Sequence, residues 1–226
     1  MEKLYFGERE VALFPSEESE DIVYLIGEVE SAEEIFTEAI ATAHAVLPSP
    51  KPSLVAVESL DWNSELSPWK AEAVFKNGEN FLGGADLFLR ELCEVIIPSV
   101  EKIPVRGRRM ISGYSLAGLF SVWAIYNTDL FSCAASMSGS LWFDGFIEYM
   151  REHEPKTRLN RVYFSLGERE SSTKNARMAK VGRCTEEAAE ILRNYSSLVE
   201  FEYRRGGHFS DVNERIARGI SWIAEK

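Results

Sequence analysis

Short apolar runs alternate along the chain with longer stretches whose apolar positions recur every three or four residues. The runs at 22–27, 54–57, 109–113, 133–137, 162–166 and 198–203 predict strands. The stretches between them predict helices over 31–46, 85–98, 116–126, 144–152, 173–195 and 211–224. Ser31, with Glu34 three residues on, has the spacing of a capping box, and Pro98 is expected to stop the second helix. Leu87, Leu89, Leu92, Val95 and Ile96 are expected to form that helix's buried stripe. Strands alternating with helices call for a mostly parallel sheet covered on both faces, an α/β architecture read as one domain over residues 1–226. The stretch between Met137 and Val162 is too short for a separate lid domain.

The sharpest join lies between the strand at 109–113 and the helix that opens at Leu116, where Tyr114 and Ser115 alone make the turn. Gly113-Tyr114-Ser115-Leu116-Ala117-Gly118 places small residues on both sides of Ser115, the room that a nucleophile on so tight a turn requires. The turn would lift the Ser115 hydroxyl above the sheet at a helix N-terminus, with the Leu116 N–H as one oxyanion donor. A serine needs a base. Of three histidines, His44 falls in an alanine-rich helix and His153 in the charged turn Arg151-Glu152-His153-Glu154. His208 follows the last strand in Arg204-Arg205-Gly206-Gly207-His208-Phe209, where paired glycines let the loop bend over the sheet edge.

The base in turn needs a carboxylate, which in this chain order should follow a strand between the serine and the histidine. The strand at 162–166 leads into Gly167-Glu168-Arg169-Glu170. Glu170 is favoured because it lies further into the loop, with Glu168 and Asp144 as competitors. A second oxyanion donor is expected from Leu60, Asp61 or Trp62 after the strand at 54–57, with Trp62 the choice. Trp62, Trp69, Phe75 and Phe81 are candidates to line a pocket or to pack a long loop.

These residues resemble the α/β-hydrolase superfamily, in particular its enterochelin-esterase-like (esterase D-like) branch. The likeness rests on Gly113 to Gly118 with Leu119-Phe120, on Gly167 to Glu170 and on Gly206-Gly207-His208, and it spans roughly Leu54 to the end. In that branch the acid often stands three residues after the glycine that ends its strand, which maps onto Glu170. Ser67-Pro68-Trp69, Phe81-Leu82-Gly83-Gly84-Ala85 and Ser138-Gly139-Ser140-Leu141-Trp142 also resemble family segments that border the pocket. Trp69, Tyr114 and Trp142 are thereby the candidate substrate contacts. The first fifty residues look too short for the family's full set of leading strands, so a trimmed sheet edge is expected.

The implied activity is serine carboxylic-ester hydrolysis through an acyl-enzyme, with Ser115 as nucleophile, His208 as base and Glu170 as orienting acid. An acyltransferase of the same fold is the close alternative, and a catalytically silent binding or scaffold protein is the distant one. Composition narrows the rest. With 25 basic and 36 acidic residues the formal charge is −11, so the field repels polyphosphates and anionic membranes, and neither nucleic acid nor membrane is expected as a partner. The tight basic cluster, Arg106 to Arg109, reads as a solvated strand entrance. Arg169, Lys174, Arg177, Arg204 and Arg205 stand near the acid and base loops, where they could attract an anionic ester or merely cap element ends. Three scattered histidines and three widely spaced cysteines make a poor ligand set, so no metal and no cofactor are expected. The cysteine usage and the polar N-terminus fit a cytoplasmic protein acting on a small-molecule ester.

Overall fold

A computed structural model describes residues 1–27, 29–37, 51–101 and 107–225. Eight strands form one sheet in the order β1-β2-β4-β3-β7-β8-β9-β10. They are β1 (Glu2–Phe6), β2 (Arg9–Phe14), β3 (Ile22–Ile26), β4 (Ser53–Val57), β7 (Arg109–Tyr114), β8 (Cys133–Met137), β9 (Leu159–Gly167) and β10 (Ser196–Arg204). β5 (Lys70–Ala71) and β6 (Phe81–Leu82) make a small hairpin apart from it. β3, β4, β7, β8, β9 and β10 are mutually parallel, while β1 and β2 join antiparallel at the β4 side. This is the expected mostly parallel α/β sheet. Its leading edge, however, is not trimmed: residues 2–14 form a hairpin around Gly7, whose φ of 63° suits the turn. The pattern Leu-Tyr-Phe-Gly-Glu-Arg-Glu-Val-Ala-Leu-Phe, apolar on both sides of a glycine, is the signal for those strands.

The helices are α1 (Trp62–Glu65), α2 (Ala85–Glu91), α3 (Ile97–Val100), α4 (Leu116–Asn127), α5 (Phe146–Glu152), α6 (Val181–Leu192) and α7 (Val212–Ala224), and residues 32–37 are also helical. The remainder of the helix predicted over 31–46, with His44, lies outside the described residues. α2, α4, α5 and α6 bury side chains in a core on one sheet face, with Tyr24, Val55, Ile111 and Phe164. α7 and residues 32–37 cover the other face, over Leu25, Met110, Ala135 and Tyr163. α4 is apolar on every side and almost wholly buried, which fits a central helix rather than a surface one.

Three helix expectations are corrected. Pro98 does not end its helix, because a π-turn over Leu92–Ile96 resets the hydrogen-bond ladder ahead of it and Pro98 enters the first turn of α3. The buried stripe is Ala85, Phe88, Leu89, Leu92, Ile96 and Ile97, whereas Leu87 and Val95 are 64% and 45% exposed. The sequence stripe took two leucine and valine positions one residue out of phase with the face that Phe88 leads. The helix predicted over 173–195 starts late: Asn175 Oδ1 accepts the N–H groups of Arg177 and Met178, and Asn175 Nδ2 donates to the Val74 carbonyl, which docks residues 173–177 as a turn. A 3-10 turn at Met178–Lys180 then leads into α6.

The stripe correction has a measurable consequence. Phe88→Ala should destabilise the fold by about 3–5 kcal/mol, while Leu87→Lys should stay within about 0.5 kcal/mol, as read by denaturant titration.

Candidate active site

The strands β7, β9 and β10 each end in a loop at the carboxyl edge of the sheet, and these loops supply the three predicted groups. Ser115 stands between β7 and α4 with φ 57° and ψ −120°, a conformation that L side chains seldom adopt. Such a residue carries about 1–3 kcal/mol of strain and persists only where its surroundings impose it. Here the Ser115 N–H donates to Met137 O, while Ser115 O accepts from Ser140 and Leu119. Gly113 makes the join possible, since a Cβ there would lie 2.4 Å from the Ala117 carbonyl oxygen. Leu116 opens α4, so its N–H has no acceptor in the preceding helical turn.

His208 brings Nε2 to 3.1 Å from Ser115 Oγ, and its Nδ1 lies 2.8 Å from Glu170 Oε2. The structure thus unites Ser115, His208 and Glu170 from positions far apart in the chain. The imidazole side chain is 27% exposed and the carboxylate 4%. Although burial alone would raise the Glu170 pKa, it is lowered, because the carboxylate accepts hydrogen bonds from His208, Ser138 and the Gly167 N–H. The last two meet Oε1 at 2.7 and 2.6 Å. Ser138 takes φ 48° to present its hydroxyl, a third-party contact that sequence reasoning missed. Arg215 also reaches Oε1, at 3.1 Å. Its signal in the sequence was an arginine in register with the buried stripe of α7.

The competing acids do not reach the imidazole. Glu168 is exposed, and Asp144 pairs with Arg177 at 2.9 Å. Neither His153, stacked on Tyr149 with its Nδ1 2.9 Å from the Tyr149 carbonyl, belongs to the group. Tyr114 is corrected from a substrate contact: it is 5% exposed, and its hydroxyl donates to the His208 carbonyl beneath the site. Trp69 donates Nε1–H to Asp144 O at 2.9 Å and packs against Phe143, Phe146 and Tyr149. Trp142 packs on Phe81 with the Arg177 guanidinium 5.6 Å from its ring centre. Phe81 itself is core, and Phe75 is 65% exposed.

Two loops stand near the elbow as possible sources of the second oxyanion donor. β3, not β4, pairs directly with β7, so the turn after Ile26 borders the elbow. The Leu60 N–H is already committed to Glu65 Oε2, and Asp61 caps α1 through Ser64. The indole of Trp62 leans on Gly27: a Cβ on Gly27, whose φ is 92°, would fall 2.7 Å from the ring. Of the five basic residues, Arg177 is paired with Asp144 and Arg204 with Glu214, while Arg169, Lys174 and Arg205 are exposed. The basic cluster is neutralised by Asp21 on Arg108 and Glu101 on Arg109, and Arg106 lies outside the described residues. No metal-holding group of His, Cys, Asp and Glu occurs among the described residues. Nor is any described helix long and apolar enough to cross a membrane.

Residues 10–212 match the protein family described as "Putative esterase". YbbA of Bacillus subtilis, an uncharacterised protein, is 27% identical over 150 residues, which cover 64% of this chain and 60% of YbbA. The fold resembles an IroE-like serine hydrolase from Shewanella oneidensis, with TM-score 0.74, 18% identity, and 95% of this chain and 75% of that one covered. It likewise resembles the siderophore hydrolase EstA of Aspergillus nidulans, with TM-score 0.71, 18% identity, and coverage of 98% and 92%. The enterobactin esterase FES of Shigella flexneri gives 0.69 and 18%, covering 95% of this chain and 55% of FES. The fold is that of the α/β-hydrolases.

A carboxyl whose folded pKa is depressed adds stability above the ordinary carboxylate range and loses it as pH falls through the folded value. Glu170→Gln should therefore be less stable than the parent by about 3–5 kcal/mol near neutral pH, since it leaves Arg215 buried beside a neutral amide. That gap should narrow as pH falls below the ordinary carboxylate range, as followed by melting temperature across a pH series.

Proposed function

Because the chain belongs to the "Putative esterase" family, a group of carboxylic-ester hydrolases, we propose that Ser115, His208 and Glu170 carry out ester hydrolysis through an acyl-enzyme. The observation that supports this most is the unbroken hydrogen-bonded line from Ser115 Oγ through both imidazole nitrogens to the buried Glu170. In this reading Nδ1–H faces the carboxylate, which leaves Nε2 to take the Ser115 proton as Oγ attacks the ester carbonyl. The resulting imidazolium is stabilised by Glu170 and returns the proton to the departing alkoxide. Water, deprotonated by the same Nε2, then attacks the acyl-enzyme, and as the second tetrahedral intermediate collapses the imidazolium returns that proton to Ser115 Oγ, releasing the acid.

The developing oxyanion takes one hydrogen bond from Leu116 N–H. The second comes from the turn after β3, next to the elbow, and not from Trp62, whose indole serves as a wall beside it. Each such donor is worth about 3–4 kcal/mol in the transition state. The part-exposed imidazole supports water as the second nucleophile rather than an alcohol. The siderophore hydrolases among the structural neighbours direct the substrate panel toward siderophore esters, alongside simple aryl esters. Cys93, Cys133 and Cys184 are all free thiols, which supports a reducing compartment such as the cytoplasm.

Ser115→Ala should lower kcat for p-nitrophenyl acetate by about 10⁶ and abolish fluorophosphonate labelling; a purified variant that keeps either would refute the assignment. Glu170→Gln should cost about 10⁴ in kcat, with Glu168→Gln and Asp144→Asn close to the parent in the same assay. Product analysis with added alcohols separates hydrolysis from acyl transfer.

A further inference from the structure

Helix α7 buries Ile216, Ala217, Ile220 and Ile223 beneath the sheet, yet Arg215 stands among them with its side chain only 1% exposed. A guanidinium at that depth is stable only if specific acceptors replace its water. Nη1 meets Ser138 Oγ at 2.9 Å, Glu170 Oε1 at 3.1 Å and the Tyr114 hydroxyl at 3.4 Å. Nη2 donates to the carbonyls of Arg205 and Gly207, at 3.2 Å each. One side chain therefore touches the β8 turn, the acid loop, the elbow strand and the histidine loop.

We propose that Arg215 is a positioning residue for ester hydrolysis: its fork fastens the acid loop to the histidine loop and keeps Glu170 Oε2 directed at His208 Nδ1. This rests on Ser115, His208 and Glu170 being the reacting set. Backbone bonds from Glu168 to Arg204 and from Arg169 to Gly206 join the roots of the two loops. Arg215 joins them where the side chains act, occupying Oε1 so that Oε2 is the oxygen left for the imidazole. The groups facing its guanidinium are the Glu170 carboxylate and the Tyr114 phenol, with the imidazole beyond Glu170. The guanidinium keeps its charge at every working pH, so it also offsets part of the carboxylate field at the imidazole.

Arg215→Met and Arg215→Lys test this in the full chain, with folding checked by circular dichroism. Both should lower kcat for p-nitrophenyl acetate about 10–100-fold with KM within about threefold, because neither can bridge two loops. Folded variants with the parent kcat would overturn the proposal, as would a rise in KM as large as the drop in kcat, which would mark a loss of substrate binding rather than of positioning. Failure of both variants to fold would also overturn it, by making Arg215 a requirement of the fold itself. Fluorophosphonate labelling of the parent separates the two layers: no label at Ser115 removes the esterase reading and this role together, while a labelled parent beside unaffected variants removes this role alone.

Discussion

The carboxylate of Glu170 is the fixed point of the molecule. It is almost fully buried, remains ionised against that burial, and divides its two oxygens between different duties: Oε1 gathers Ser138, Gly167 N–H and Arg215, and Oε2 holds the imidazole. A charge taken this far from water is tolerable only when its lone pairs are filled by well-directed donors. The parallel sheet meets that demand by delivering the ends of β8, β9 and β10 to one edge, where loops of a few residues are enough to bring those donors together.

The fold was legible where periodicity is strong and local. β8 was bounded correctly from its small residues, and the strand-turn-helix at Gly113 to Leu116 could be read from spacing alone. Errors arose where tertiary contacts decide. Leu87 and Val95 looked like stripe residues, but Phe88 sets the buried face. Asn175 delays α6 because its amide nitrogen is engaged by the Val74 carbonyl, a partner about a hundred positions away that no local window contains. The leading hairpin was missed because its strands are short and, in β1, mostly exposed.

For the site, loop position in the sequence was enough to expect His208 and Glu170 to meet beside Ser115, as they do, while Glu168 stays exposed and Asp144 pairs elsewhere. Sequence could not show that Glu170 would need Ser138 and Arg215, since those contacts depend on how three loops converge. Nor could it show that β3 would be the strand beside β7, because that order is set by the sheet and not by sequence. Tyr114 shows the same limit: adjacent to the serine in sequence, it points to the opposite side of the sheet, as strand alternation requires.

Among the described residues three non-glycine positions hold positive φ, and two of them, Ser115 and Ser138, belong to this arrangement. Glycine is the replacement that would suit such backbone without strain, yet at Ser115 and Ser138 it would delete a hydroxyl already engaged with a neighbour. These two positions are therefore isolated in mutational space: glycine loses the hydroxyl, and threonine, which keeps it, is β-branched and strained at positive φ, so random drift has no quiet exit there.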